Sequence, residues 1–254
     1  MRGVLFASDL HLSPQRPDRS QLFFELLEMA GGHAEAVYLL GDLVEFWLGD
    51  DDPDPLHRAL VGALSALTAR GVRLSVSVGN RDFLMGPAFC ADTGATLLPD
   101  YHAIDLFGRP TLLTHGDLLC VKDVQYQQFR RFVRDPTNQQ QFLGQTLEQR
   151  RQIASQTRTG TQESMLAKDD FIMDADENEI AGVMSAHQVT HLIHGHTHRP
   201  QIHHLTLAGQ PAERVVLGDW YAGNEVLWCT PATTSLLPAQ ALVATLKRSI
   251  ASRE

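Results

Sequence analysis

Five short apolar segments in this chain each run straight into a cluster of polar, metal-ligand-type residues. That recurrence restricts its folds more than any other feature. Val4-Leu5-Phe6-Ala7 leads to Asp9-Leu10-His11, and Ala36 to Leu40 leads to Gly41-Asp42. The alternation Val72, Leu74, Val76, Val78 leads to Gly79-Asn80-Arg81-Asp82. Residues 111–114 precede His115-Gly116-Asp117, and residues 189–193 precede His194-Gly195-His196-Thr197-His198. Short apolar runs punctuated by glycine and polar residues read as buried strands. In open α/β sheets, sites form at strand carboxyl ends.

Helical signals fill the spaces between these strands. Leu22, Phe23, Leu26, Leu27 and Ala30 recur at helical spacing before Gly31-Gly32, which is expected to end that helix. A second helix is expected over 55–70, with Asp54 as N-cap and Pro55 in the first helical position. Residues 213–229 read as strand material broken by a Gly/Asp loop. Strand–helix–strand order predicts an α/β core, with the later β-rich half closing a second sheet. The stretch from 121 to 182 differs: it is rich in Gln and Arg, poor in β-branched residues, and helical in period. It predicts a helical insertion in a core formed by 1–120 and 183–254.

The chain has 254 residues and a net charge of −9. An acidic total argues against a nucleic-acid partner, which calls for a basic footprint. No apolar run approaches the length of a membrane span, and the first twelve residues do not read as a signal peptide. Three widely spaced cysteines, Cys90, Cys120 and Cys229, predict buried thiols and a reducing compartment rather than a disulfide framework. Two acidic runs fail as calcium loops. Pro55 follows Asp50, Asp52 and Asp54, and Glu179 follows Asp174, Asp176 and Asn178, where the loop needs glycine.

The chemistry is carried by the strand-end clusters. Asp-x-His and His-x-His spacing puts both side chains on one face of an extended segment. Imidazole, carboxylate and amide oxygen together suit Mn²⁺, Zn²⁺ or Fe²⁺ better than a thiolate site does.

The motifs D-x-H, G-D, G-N-x-D, H-G-D and G-H-T-H, in this order and rough spacing, resemble the signature of the calcineurin-like metallophosphoesterases. The longer strings SDLHL, GDLVEFWLGDD, GNRDFLMG, THGDLLC and LIHGHTHRP are similar to those of the UDP-2,3-diacylglucosamine pyrophosphohydrolases of lipid A synthesis. The likeness runs from Leu5 to about Asp219. It implies a four-layer α/β/β/α sandwich of two mixed sheets with a helical cap. It implies two Mn²⁺ ions, one held by Asp9, His11 and His198, the other by Asn80, His115 and His196, with Asp42 bridging them. It implies cleavage of the pyrophosphate of UDP-2,3-diacylglucosamine to UMP and 2,3-diacylglucosamine 1-phosphate. In that reaction, water activated by two metals attacks the α-phosphorus. Asp42, Asn80, Arg81 and His196 would be catalytic. Asn80, Arg81, Asp123, Lys168 and His196 match substrate-contacting positions. Thr161 stands where serine is common, and Met165 where a polar side chain is common.

Arg81 replaces the histidine that many superfamily members carry after the asparagine. Arginine cannot give up its proton, but it can neutralise phosphate bidentately. A departing phosphate needs little protonation, so arginine here favours anhydride cleavage. The competing reading is a surface arginine paired with Asp82. From Val121 to Lys168 the chain carries eight basic and four acidic residues, interleaved with Val124, Phe129, Phe132, Val133, Phe142, Leu143 and Leu147. That composition predicts either an ordinary amphipathic packing helix or an element that grips acyl chains and lies against anionic headgroups. The resemblance favours the latter, at the cytoplasmic face of a bacterial inner membrane. Neither nucleic acid nor an obligate protein partner is expected. The competing functions are a nucleotide-directed phosphoesterase and a scaffold that has lost its metals.

Overall fold

The structure, a computed structural model, describes the backbone of residues 2–166 and 174–251 and the side chains of 2–157 and 174–249. The first half alternates strand and helix as β1 (Gly3–Ala7), α1 (Pro17–His33), β2 (Ala34–Leu40), α2 (Pro55–Ala69), β3 (Arg73–Ser77), α3 (Pro87–Thr93) and β4 (Thr96–Leu97). Then come β5 (His102–Leu106), β6 (Arg109–Leu113), a 3-10 turn at Asp117–Leu119, and the helices α4 (Val124–Arg134), α5 (Pro136–Leu143), α6 (Leu147–Leu166) and α7 (Glu177–Ala186). The chain closes with β7 (His191–His194), β8 (Gln201–Leu207), β9 (Gln210–Val216), β10 (Glu225–Cys229), β11 (Thr234–Pro238) and α8 (Ala239–Ala251).

Two mixed sheets result, ordered β11-β10-β1-β2-β3-β4 and β5-β6-β7-β9-β8. The ladders β1–β2–β3–β4 and β6–β7–β9 are parallel, and the pairs β1–β10, β10–β11, β5–β6 and β8–β9 are antiparallel. Strand alternation builds the layers. Val4 and Phe6 of β1 meet Leu113, Ile193 and Val215 between the sheets. Leu5 and Ala7 face the other way, onto Phe23, Leu26, Leu60 and Leu242 of the helices α1, α2 and α8. Leu112 and Leu192 of the second sheet face outward onto Ile180 and Met184 of α7. The order of layers is therefore helix, sheet, sheet, helix.

The α2 start follows its sequence signal, since Asp54 accepts hydrogen bonds from the Leu56 and His57 N–H groups. The α1 end does not, because the helix continues through Gly31-Gly32 to His33. A Cβ on Gly31 would lie 2.7 Å from the Arg70 side chain, whose guanidinium donates to the Glu28 carbonyl. That glycine makes room for a neighbour rather than stopping a helix. Residues 121–182 hold α4, α5, α6 and the first part of α7, whose Ile180 and Met184 pack on the second sheet. Among the described residues, no helix is long and apolar enough to cross a membrane.

Candidate metal centre

Each polar cluster leaves the carboxyl end of a parallel strand: Asp9 and His11 after β1, Asp42 after β2, Asn80 and Arg81 after β3, His115 after β6, His196 and His198 after β7. Main-chain bonds tie these loops together. Asp9 N–H donates to the Gly41 carbonyl, His11 N–H to that of Asp42, and Gly195 N–H to that of His115. Asp9, His11, Asp42, His196 and His198 all have positive φ, between 45° and 68°. Non-glycine residues in that region are held there by surrounding structure, and they concentrate at functional sites. Gly79 permits the close approach, since a Cβ there would fall 2.1 Å from Asp42 Oδ1.

One donor set is Asp9, His11 and His198, and a second is Asp9, Asp42 and His115; within each, the ligand atoms lie within 4.8 Å of one another. His198 Nε2 is 3.4 Å from Asp9 Oδ1. Asp42 stands between the halves, with Oδ2 3.9 Å from His11 Nε2 and Oδ1 4.0 Å from His115 Nε2. On the second side, His115 Nε2 lies 3.4 Å from Asn80 Oδ1 and 3.2 Å from His196 Nδ1. His115 Nδ1–H donates to the Leu40 carbonyl at 2.8 Å, which turns Nε2 inward. Asp42 is itself held by the Arg81 N–H at 2.8 Å.

These residues fit cations better than they fit one another. Both nitrogens of His11 are buried and, among the described residues, have no hydrogen-bond partner. Buried polar groups are ordinarily paired, and donors about 2.0–2.2 Å from one cation stand roughly 3–4 Å apart. Burial lowers His11 to about 3 and, with the charge of His115, lowers His196 to about 4. Burial raises Asp42 to about 7. Burial opposes protonation of His115, but Asp42, Asp9 and Asp117 outweigh it and hold that imidazole at about 8. The pocket thus keeps the imidazoles of His11 and His196 neutral and able to ligate, and holds in Asp42 a carboxyl whose charge a cation would relieve.

A cavity of about 220 Å³ opens beside Asn80 and Arg81. Its walls come from the core (Phe46, Trp47, Leu48, Phe83) and from the insert (Phe129, Phe132, Phe142, Ile153), and it is largely apolar. Arg81 belongs to this cavity and not to a pair with Asp82, whose buried carboxylate accepts from the Leu43 and Gly79 N–H groups. The Arg81 Nε is buried without a partner among the described residues. Asp123 sits at the start of α4, where its carboxylate accepts from the Tyr126 N–H. Thr161 and Met165 fall on α6 where side chains lie outside the described residues, as does Lys168 altogether.

Several contributors were not singled out from sequence. Asp117 is buried beside His115 and His196 and receives Tyr126 Oη–H at 2.7 Å and Arg130 Nε–H at 2.6 Å. Its place in the H-G-D string was the available signal. Tyr221 stacks on His11 with ring centroids 4.7 Å apart, and its hydroxyl donates to Glu45. No local pattern marks it. Among the described residues, five basic side chains of this stretch are paired: Arg130 with Asp117 and Asp100, Arg134 with the Val78 and Gly79 carbonyls, Arg150 with Asp51, Arg151 with Asp52, Lys122 with Asp176. These pairs tie the helices α4 and α6 to the rest of the chain, as the packing-helix reading of this stretch expects.

A four-layer sandwich whose parallel strand ends gather such ligands is the architecture of a metal-dependent phosphoesterase. A model of the calcineurin-like phosphoesterase family matches residues 3–200, and the chain belongs to that family. It is 46% identical over 233 residues to the UDP-2,3-diacylglucosamine hydrolase of Cellvibrio japonicus (strain Ueda107), covering 92% of this chain and 96% of that protein. It is 46% identical over 229 residues to the protein of the same name from Aeromonas salmonicida (strain A449), covering 90% of each. Against the one from Salmonella typhi it is 44% identical over 235 residues, covering 92% of this chain and 98% of that protein.

Proposed function

We propose that the chain hydrolyses the pyrophosphate of UDP-2,3-diacylglucosamine to UMP and 2,3-diacylglucosamine 1-phosphate. One observation carries the reading: the apolar cavity ends at Asn80 and Arg81, beside the ligand cluster. A substrate with acyl chains at one end and a pyrophosphate at the other suits that arrangement, whereas a plain nucleotide has no use for the apolar part. The relatives named above share the substrate's name, and the full set Asp9, His11, Asp42, Asn80, His115, His196 and His198 speaks against a scaffold without metals.

Asp9, His11 and His198 would hold one Mn²⁺, Asn80, His115 and His196 the other, with Asp42 shared. When bound, two such ions supply Lewis acidity toward the phosphoryl oxygens and an activated water at neutral pH. Arg81, its backbone locked to Asp42, extends a guanidinium into the cavity mouth and binds phosphate oxygens bidentately. Asn80, at the same cavity mouth, and His196, beside His115, would orient the phosphoryl group. Water adds its oxygen to the uridine-side phosphorus and gives up a proton to solvent, the bridging P–O bond breaks, and the lipid phosphate leaves as an anion that needs little protonation. Asp123, Thr161, Met165 and Lys168 would contribute from the insert, together with its apolar wall, by holding the lipid end.

The lipid is collected from the cytoplasmic face of the inner membrane. The apolar side chains left exposed on the insert, Val124, Phe129 and Phe132, support that reading, as does the exposed Arg131 beside them. Incubation with UDP-2,3-diacylglucosamine and Mn²⁺ in ¹⁸O-water tests the reaction. Label in UMP is expected. Label in the lipid phosphate would move the attack to the other phosphorus, and absence of products would reject the reading. Chelation should abolish turnover, and added Mn²⁺ should restore it better than Mg²⁺ does.

A further inference from the structure

The insert does not simply rest on the core at its far end. Arg150, in the first turns of α6, has a side chain only 4% exposed. Its Nη1 donates to the Leu48 carbonyl and to Asp51 Oδ1, both at 2.7 Å, its Nη2 to Asp51 Oδ2 at 2.5 Å, and its Nε to the Gln145 carbonyl at 3.2 Å. The next residue, Arg151, pairs with Asp52 at 2.7 Å. Gly49 accepts this approach, with φ of +131° and room for no Cβ, which would fall 2.6 Å from Arg150 Nη1. The receiving loop is itself anchored. Asp50 accepts from Trp47 Nε1–H and from the N–H groups of Gly86, Ala88 and Phe89.

Both partners of this pair adjoin the cavity without lining it. Trp47 and Leu48 precede the loop and form one wall; Ile153, Ala154 and Thr157 form another. Those three stand at i+3, i+4 and i+7 from Arg150, so the guanidinium and the wall share one face of α6. A bidentate arginine–carboxylate fork fixes direction as well as distance. The geometry points to a latch: the Arg150–Asp51 fork positions α6 across the apolar cavity, and thereby sets affinity for the acyl end of the substrate while touching no reacting atom. Arg150 and Asp51 are positioning residues for specificity. The substrate part of this statement rests on the proposed function; the positioning of α6 does not.

Two variants test it. Arg150→Lys keeps the charge and loses the fork, and Asp51→Asn alters a carboxylate that is 60% exposed, so folding is not at stake in the latter. With UDP-2,3-diacylglucosamine, KM should rise about tenfold in both while kcat stays within about twofold, as expected when binding but not chemistry is weakened. Amide hydrogen exchange across 147–157 should quicken about tenfold, with β1 and β2 unchanged. A merely structural pair would lower thermal stability and leave KM alone. Unchanged KM in both variants, or a fall in kcat at constant KM, overturns the latch. If the wild-type protein fails to hydrolyse this lipid nucleotide, the proposed function falls. The latch is then judged on exchange together with Nile red affinity for the cavity: both altered in both variants upholds it, and either unaltered overturns it.

Discussion

Burial pushes the Asp42 carboxyl up to about 7, and the opposing pull of His115 is itself countered by Asp82 and Asp9. Such a group keeps its charge at the cost of stability unless cations neutralise it. Asp42→Asn should therefore lower kcat/KM by at least about 10³-fold, because bridging and phosphoryl stabilisation are lost together. Calorimetric titration should show fewer Mn²⁺ bound, while the chelated variant melts no lower than the chelated wild type. A variant within tenfold of wild-type rate would contradict the shared role. Arg81 gives a milder case. Arg81→Ala should raise KM by roughly 10–100-fold, and Arg81→Lys should recover only part of it, because an ammonium lacks the fork. Equal kinetics for Ala, Lys and Arg would return the residue to the surface. At this scale the sequence showed which residue types meet at strand ends. It could not show that Asp82 turns inward onto the Leu43 and Gly79 amides and so leaves Arg81 to the cavity.

Helix α4 owes its position to one buried arginine. Arg130 bridges Asp117 Oδ2 and Asp100 Oδ1, each at 2.6 Å, and so ties the insert to the floor of the second ligand set. Removing one partner of a buried pair leaves a charge without compensation. Arg130→Ala should cost about 3 kcal/mol, read as a lower urea midpoint with an unchanged slope. A midpoint equal to wild type would mean that α4 is placed by its apolar contacts alone. The insert was legible as an element, since its helical period and Gln/Arg composition are local properties. The destination of its charge was not, because the carboxylate partners of Arg130, Arg150 and Arg151 lie 13 to 99 positions away along the chain. For the same reason Gly31-Gly32 read as a helix end: the Arg70 side chain that demands space there comes from another helix boundary.

Across the whole molecule, two imidazoles outside the proposed ligand set report on folding. Burial, reinforced by Arg109, holds His191 down at about 4, and burial holds His194 down at about 3. Unfolded, both titrate near 6.5. The unfolded chain therefore binds protons that the folded one does not. Their contribution to stability is complete above about pH 6.5 and is lost as pH falls toward 4. The chelated protein should melt several degrees lower at pH 5 than at pH 7.5, on the order of 1–2 kcal/mol per group; equal melting temperatures would show that another group compensates. The sequence by itself determined the α/β class, the strand ends that carry chemistry and the identity of the ligand-type residues. Each of these depends on short-range periodicity and on what a side chain can donate or accept. Only the tertiary structure decided that the two sheets stack so that β1, β2 and β3 meet β6 and β7 at one edge, that Asp42 stands between two donor sets, and that Arg130, Arg150 and Arg151 pair with carboxylates of the core. Those outcomes depend on which distant segments share the buried interior, where an unpaired charge is costly and a carboxylate such as Asp117 finds its cation by packing rather than by adjacency in the chain.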